Sequence, residues 1–412
     1  MDVVVAGIGT ALPPHQIPQT VASEGAVHYC CEQPEQARSV AALYRLSGVE
    51  TRHCVVLNQS EGTQSERQDF YPPRSVDSPA GPTTGERLRF FERAAGPLAV
   101  EAATKALERS GVEARRVTHL ITVSCSGFSA PGFDYDLIDQ LPLRPTVART
   151  QVGFMGCHAA LNALRVARAF VAADSEAVVL VCCVELCSLH YQYGWDPEQI
   201  VANSLFADGA AACVIQATNS LLKNGCREGE APAEPRVTSD FPHAHGSAGA
   251  SPSLFQQAAE TPAAAAHSES PRPFRILASG STVLPHSRDA MTWRVGDHGF
   301  RMTLSSSVPG LLAQHLYPWL SEWLGQHGLR PEAIGAWAVH PGGPRILQAF
   351  AEAMRLDPSH LNLSREVLRQ HGNMSSPTLL FILDRLQQSR AAGPCVAIGF
   401  GPGLAAEATL FE

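Results

Sequence analysis

The chain has 412 residues, 45% of them hydrophobic and 17% charged, with 31 Lys and Arg against 39 Asp and Glu. That length is far above the size at which core burial is marginal, and the composition is that of a compact globular protein, not a disordered or fibrous one. A formal net charge of -8 with no dense basic stripe excludes a nucleic-acid footprint, and no apolar run approaches the ~20 residues needed to cross a bilayer.

The first element is a β-branched run over residues 3–9 that ends in glycines and reads as a buried strand. It mimics half of a dinucleotide loop, but Ala11-Leu-Pro-Pro14 follows where a third glycine would open a helix, so the structural reading is preferred. Residues 58–85 are polar and rich in Pro, Ser and Gly, after which 86–110 carry helical spacing that stops at Gly111. A strand over 119–124 comes next, then a strand over 147–152, a turn Gly153-Phe-Met-Gly-Cys157, a helix from His158 to about Ala173 and a strand over 178–184. Residues 218–273 shift to Ala, Pro, Ser, Gly and His with little apolar periodicity, which predicts a mobile surface insertion. Beyond it the pattern predicts a helix over 308–326, a strand over 333–339, helices over 344–354 and 375–386, and a strand over 395–399. Such alternation predicts an α/β fold with helices covering a largely parallel sheet. Ala207-Asp-Gly-Ala-Ala-Ala-Cys-Val-Ile215 echoes Gly403-Leu-Ala-Ala-Glu-Ala-Thr-Leu410, which suggests a duplication with halves at 1–217 and 274–412. The 11 cysteines are odd in number and fall mostly in apolar runs, with no secretory leader ahead of the first strand; they are read as reduced thiols of a cytoplasmic protein.

Three residues carry candidate chemistry. Cys157 sits at a strand-to-helix turn, where free N–H groups and the helix dipole favour a thiolate; taken alone it reads equally well as a buried structural cysteine. His340 ends a strand ahead of Pro341-Gly-Gly-Pro344, at the carboxyl edge where open α/β sheets bind ligands. Asn373 lies just ahead of a helix, where capping is its ordinary explanation. Together, a thiol for acyl transfer, an imidazole and an amide donor for an enolate oxygen form a complete acyl-condensing set, each expected on a loop after a strand.

Gly153-Phe-Met-Gly-Cys-His-Ala-Ala160, His340-Pro-Gly-Gly-Pro-Arg-Ile-Leu347, Gly372-Asn-Met-Ser-Ser376 and Gly399-Phe-Gly-Pro-Gly-Leu404 resemble the signatures of chalcone-synthase-like type III polyketide synthases. Ser126-Gly-Phe-Ser-Ala-Pro-Gly-Phe-Asp-Tyr135 and Ser204-Leu-Phe-Ala-Asp-Gly-Ala-Ala-Ala212 extend the likeness over most of 3–217 and 274–411, outside the two polar insertions. The resemblance implies a thiolase-like fold with duplicated βαβαβ halves in a five-layer α-β-α-β-α arrangement. The N-terminal half would carry the nucleophile and the C-terminal half the His and Asn. It implies that Cys157 holds the starter and the growing chain, while His340 and Asn373 bind the malonyl thioester carbonyl as carbon dioxide leaves. His340 would also pair with Cys157 as an imidazolium–thiolate couple, and Phe206 would gate the passage between the CoA tunnel and the cavity. The substrates would be malonyl-CoA and an acyl-CoA starter, with no other cofactor and no metal, in a homodimer.

Departures from the plant enzymes reshape the cavity. Met302 stands for a second gating Phe, Trp293 for a Gly, and Cys125, Cys187 and His190 for pocket threonines. Ala130 replaces a methionine that reaches the partner's cavity. The cations that hold the CoA phosphates are unmatched; Arg45 and Arg52 are near in sequence, and Arg345 is the candidate substitute. Zinc on Cys183, Cys187 and His190 lacks paired Cys-x-x-Cys geometry. A fatty acyl starter giving alkylpyrones or alkylresorcinols is the leading expectation, an aromatic starter giving a chalcone-like product the second. The rivals are a ketoacyl synthase III using an acyl carrier protein, a papain-like hydrolase, and a non-catalytic scaffold.

Overall fold

The computed structural model describes residues 2–76, 78–218, 273–389 and 393–412; the expected insertion at 218–273 falls almost wholly outside them. Strand β1 (Val3–Ala11) is buried along most of its length, and its glycines serve close packing. A Cβ on Gly9 would lie 2.2 Å from the carbonyl oxygen of Ala102, and one on Gly7 2.6 Å from that of Ala106. Only glycine lets the helix from Thr84 to Ser110 rest on this strand.

A short strand β2 (Gln16–Pro18) pairs with β3 (Thr51–His53) and brackets helices α1 (Gln19–Cys30) and α2 (Pro34–Leu46). The polar segment that follows carries the single turn α3 (Gln64–Arg67). Helix α4 (Thr84–Ser110) opens with a capping box, in which Thr83 N donates to Glu86 Oε2 (2.7 Å) and Glu86 N to Thr83 Oγ1 (3.3 Å). It closes at Gly111, left-handed at φ +64°.

The remaining strands of the first half are β4 (His119–Ser124), β5 (Ala148–Gly153), β6 (Val178–Leu186) and β7 (Asp208–Ala217), connected by helices α5 (Phe133–Gln140), α6 (Ala159–Ala173) and α7 (Pro197–Leu205). The second half contributes β8 (Phe274–Val283), the hairpin β9 (Met291–Gly296) and β10 (Gly299–Leu304), then β11 (Ala336–Val339), β12 (Cys395–Gly401) and β13 (Ala405–Phe411). Its helices are α8 (Val308–Gly325), α9 (Pro344–Met354), α10 (Asn362–His371) and α11 (Pro377–Ser389). The strand expected from residue 333 begins only at Ala336, because Pro331–Ala333 form a 3-10 turn.

Nine strands form one sheet in the order β11-β12-β13-β8-β1-β7-β6-β4-β5. About the short β1–β8 seam, at Val4↔Arg275 and Val5↔Phe274, the order of the first half repeats in mirror sequence. The strands that end the halves, β7 and β13, are the two segments whose sequences echo each other, and each is antiparallel to both neighbours. The sheet is therefore mixed and not largely parallel: only β4–β5, β4–β6 and β11–β12 run parallel. Strand–helix alternation predicts parallel crossovers, but the last strand of each half turns back on its predecessor.

Burial follows the two-residue strand period. Along β6, Val179, Val181 and Cys183 face a central core with α6 and α11, while Val178, Leu180 and Cys182 face an outer core with α4. Along β12, Ala397 faces the same central core and Val396 and Ile398 an outer one beneath α8 and α9. Helices α6 and α11 touch strands of both halves, giving the layer order helix, sheet, helix, sheet, helix. Their apposed ends meet where the functional residues converge.

Candidate active site

Strand β5 leads through Phe154 and Gly156, both with positive φ, into a 3-10 turn that places Cys157 at the start of α6. A Cβ on Gly156 would lie 2.4 Å from Pro402 Cδ, so the turn fits tightly against the β12–β13 connection from the other half. His340 ends β11, its N–H donating to Ile398 O (2.8 Å). Asn373 follows a helix, α10, and not a strand as expected. Its backbone pairs around Phe206, with Asn373 N donating to Leu205 O (2.8 Å) and Ala207 N to Asn373 O (2.9 Å). Its side-chain oxygen accepts from Ser375 N (2.8 Å). That bond fixes the amide with its NH₂ directed away from Ser375 N.

The Asn373 side chain lies beside both the Cys157 thiol and the His340 ring. Burial pushes the Cys157 thiol up to about 12; Ser375 and Asn373 oppose the rise and the Glu185 carboxylate adds to it. Burial, helped by His158, pulls His340 down to about 3. Neither ring nitrogen of His340 completes a hydrogen bond with a protein group. Burial therefore works against the expected imidazolium–thiolate couple, since desolvation disfavours charge on each member.

Glu185, which sequence reasoning missed, lies fully buried at the end of β6. It accepts from Cys125 N (3.0 Å), Ser126 N (2.9 Å), Ser126 Oγ (2.6 Å) and Ser376 Oγ (2.9 Å), and burial raises its pKa against these donors. A lone acid in the apolar run 178–186 was the available signal.

Two cavities meet here. A chamber of about 30 Å³ is lined by Cys157, Cys125, Glu185 and Ser375, with room for little more than solvent. A larger cavity of about 380 Å³ runs outward past Tyr44, Tyr71 and Tyr191 to a mouth at Glu24, His28 and Thr63, all three exposed. Cys187, Phe206, Trp293 and Met302 line both and form the partition. Trp293 is pinned there by Nε1–H donating to Cys125 O (2.8 Å).

His190 faces only the larger cavity, ring against Phe300 with centroids 4.1 Å apart. Its Nδ1 accepts from Phe300 N (3.0 Å) and its Nε2–H donates to Ser126 O (2.6 Å). With burial holding it near 3, it is a neutral wall with no nitrogen left for a metal or substrate. Cys183 faces the central core instead, so the zinc trio does not converge.

Arg52 is not a surface cation. It is buried, donating to Asn203 O (2.7 Å) and Phe206 O (2.9 Å), and to Ser204 O and Gln19 Oε1. It thereby caps the end of α7 that carries Phe206. Arg45 and Arg345 are exposed, and Arg345 lines neither cavity.

The description "Chalcone and stilbene synthases, N-terminal domain" matches residues 2–219, and "Chalcone and stilbene synthases, C-terminal domain" matches residues 275–412. The chain belongs to the chalcone and stilbene synthase family. Among its relatives, the alpha-pyrone synthesis polyketide synthase-like Pks18 of Mycobacterium tuberculosis is 29% identical, over 99% of this chain and 91% of that protein. The 1,3,6,8-tetrahydroxynaphthalene synthase of Streptomyces peucetius subsp. caesius is 28% identical, over 99% and 92%. The crystal structure of PKS-I from the brown alga Ectocarpus siliculosus superposes with a TM-score of 0.81 at 25% identity, covering 100% of this chain and 98% of that one. The likeness is to type III polyketide synthases and not to carrier-protein-dependent ketoacyl synthases, and it makes this chain a condensing enzyme of that class. Both family matches fall on the halves that bring Cys157 together with His340 and Asn373. Among the described residues, no helix is long and apolar enough to cross a membrane.

Proposed function

We propose that this type III polyketide synthase acts as an acyltransferase, loading an acyl-CoA starter on Cys157 and extending it with malonyl-CoA. The observation that carries the reading is the convergence of two donors at the thiol, the His340 ring and the Asn373 amide. His340, 1% exposed, completes no hydrogen bond through either ring nitrogen, and the bond from Ser375 N to the Asn373 oxygen turns the Asn373 NH₂ toward the thiol and the ring. Buried polar groups are ordinarily satisfied, and a thioester carbonyl would satisfy both. As the malonyl carboxylate leaves, the enolate oxygen gains charge between these donors, and the enolate carbon attacks the Cys157 thioester.

The chamber cannot hold an extended chain, so the chain passes the partition into the larger cavity. That cavity's size suits a small-molecule ligand, and its open far mouth favours a linear fatty acyl starter, giving an alkylpyrone or alkylresorcinol. Arg345 is the proposed surface cation for CoA phosphate. A homodimer is proposed through the exposed edge strand β5.

The test incubates the enzyme and Cys157→Ala with malonyl-CoA and a panel of aliphatic and aromatic acyl-CoAs, reading products by mass spectrometry. Cys157-dependent tri- or tetraketides from aliphatic starters are expected. Ala202→Phe, which fills the larger cavity, should abolish long starters and spare short ones. No product and no acyl-enzyme from any CoA thioester would sink the reading.

A further inference from the structure

Arg87, at the start of α4, is 0% exposed, lines neither cavity and has no ion pair among the described residues. Its Nε donates to Pro82 O (2.8 Å), and Nη1 to Leu189 O (2.7 Å), Tyr191 O (2.8 Å) and the Tyr71 hydroxyl (3.3 Å). Nη2 reaches Ala80 O (3.5 Å), and the guanidinium lies 5.3 Å from the Tyr71 ring centroid. A Cβ on Gly299 would come within 2.9 Å of Nη1, so β10 also closes against it.

Apart from the local bonds to Pro82 O and Ala80 O, these contacts are made behind side chains that line the larger cavity. Leu189 and Tyr191 flank His190, Gly299 precedes Phe300, and Tyr71 touches the guanidinium itself; Tyr71, His190, Tyr191 and Phe300 all face the cavity. Three segments distant in sequence are thus held to one planar fork. Gln192 Nε2 adds a second tie, donating to His190 O (2.9 Å) and Phe300 O (3.2 Å).

Burying a cation with no carboxylate is costly, and well-packed apolar residues commonly match or exceed the stability of buried ionic groups. Stability alone therefore accounts poorly for an arginine here. What guanidinium supplies and other side chains do not is several donors at fixed angles.

We propose that Arg87 is a positioning residue that sets the shape of the chain-extension cavity and thereby the distribution of polyketide lengths. This rests on the reading that the Cys157-bound chain grows into that cavity. Lysine keeps the charge but loses the fork, and glutamine keeps one amide donor.

The test uses full-length wild type, Arg87→Lys and Arg87→Gln with malonyl-CoA and dodecanoyl-CoA. It measures the triketide-to-tetraketide ratio and the fraction of Cys157 acylated, both by mass spectrometry. The ratio reports only on active molecules, so partial unfolding of a variant does not move it. A shift in ratio on the order of tenfold, with acylation of the folded enzyme within about twofold of wild type, is expected. An unchanged ratio, with total product falling in step with folded enzyme, would overturn the inference and leave Arg87 as structure alone. Absence of any Cys157-dependent product from wild type would instead overturn the underlying reading.

Discussion

At the scale of single residues, burial shifts Cys157 and His340 in opposite directions and favours the neutral form of each. The thiol is neutral below about 12 and the imidazole neutral above about 3, so neither titrates between pH 5 and pH 9. The thiolate fraction then rises about tenfold per pH unit across that range. Alkylation of Cys157 by iodoacetamide in the free enzyme should climb log-linearly with pH and show no plateau; a plateau near neutrality would reveal an ion pair after all. The proposed role of Asn373 separates two steps of the reaction. On the proposed mechanism, in which the Asn373 NH₂ serves the malonyl carbonyl and not the starter, Asn373→Ala should lower extension on the order of a hundredfold to a thousandfold. Starter acylation of Cys157 should change far less. Stopped assays with labelled starter and labelled malonyl-CoA measure the two rates, and equal losses would refute the division of labour. Arg52 shows what a residue's neighbours in sequence conceal. A cation near the chain's start resembles a phosphate ligand, but strand β3 turns it inward onto the carbonyls at the end of α7.

At the scale of elements, the glycines of β1 illustrate a signal whose meaning depends on its partner. Gly9→Ala would drive a methyl into the Ala102 carbonyl at 2.2 Å, and backbone cannot yield as a side chain can. A loss of about 1–3 kcal/mol is expected, to be read from urea denaturation, and a neutral effect would mean that α4 does not rest on β1. The strand–turn–helix unit at Cys157 and the strand at His340 were legible because their turn residues and apolar runs are local. Helix α1 was not: Gly25 sits inside it against helix propensity, and its buried residues are few. The β9–β10 hairpin alternates clearly at Met291, Trp293 and Val295. Its place across the cavity, however, is set by distant contacts, Trp293 on Cys125 O and Gly299 on Arg87. The partition of Cys187, Phe206, Trp293 and Met302 likewise exists only once β6, α7 and the hairpin are brought together. Motifs marked the chemistry; the shape of the space around it is a tertiary property.

At the scale of the whole molecule, the repeated strand order places β1 and β8 at the centre and leaves β5 and β11 as edges. Strand β5 is the less protected, with Ala148, Arg149 and Gln151 exposed. Beside it Phe128, Phe154 and Met155 are 46%, 41% and 39% exposed. Phe128 and Phe154 approach Phe300 at 6.3 and 5.6 Å between centroids, which connects this face to the cavity wall behind it. An exposed edge flanked by aromatics invites pairing, and a second copy of the same chain offers a self-complementary match across a twofold axis. Sedimentation should therefore give a particle of twice the 44.0 kDa chain mass. Phe128→Glu would set like charges against each other in both copies and should shift the particle to a monomer that still binds and melts as a folded protein. A wild-type monomer would rule out the dimer, and a dimer indifferent to Phe128→Glu would place its interface away from the β5 face.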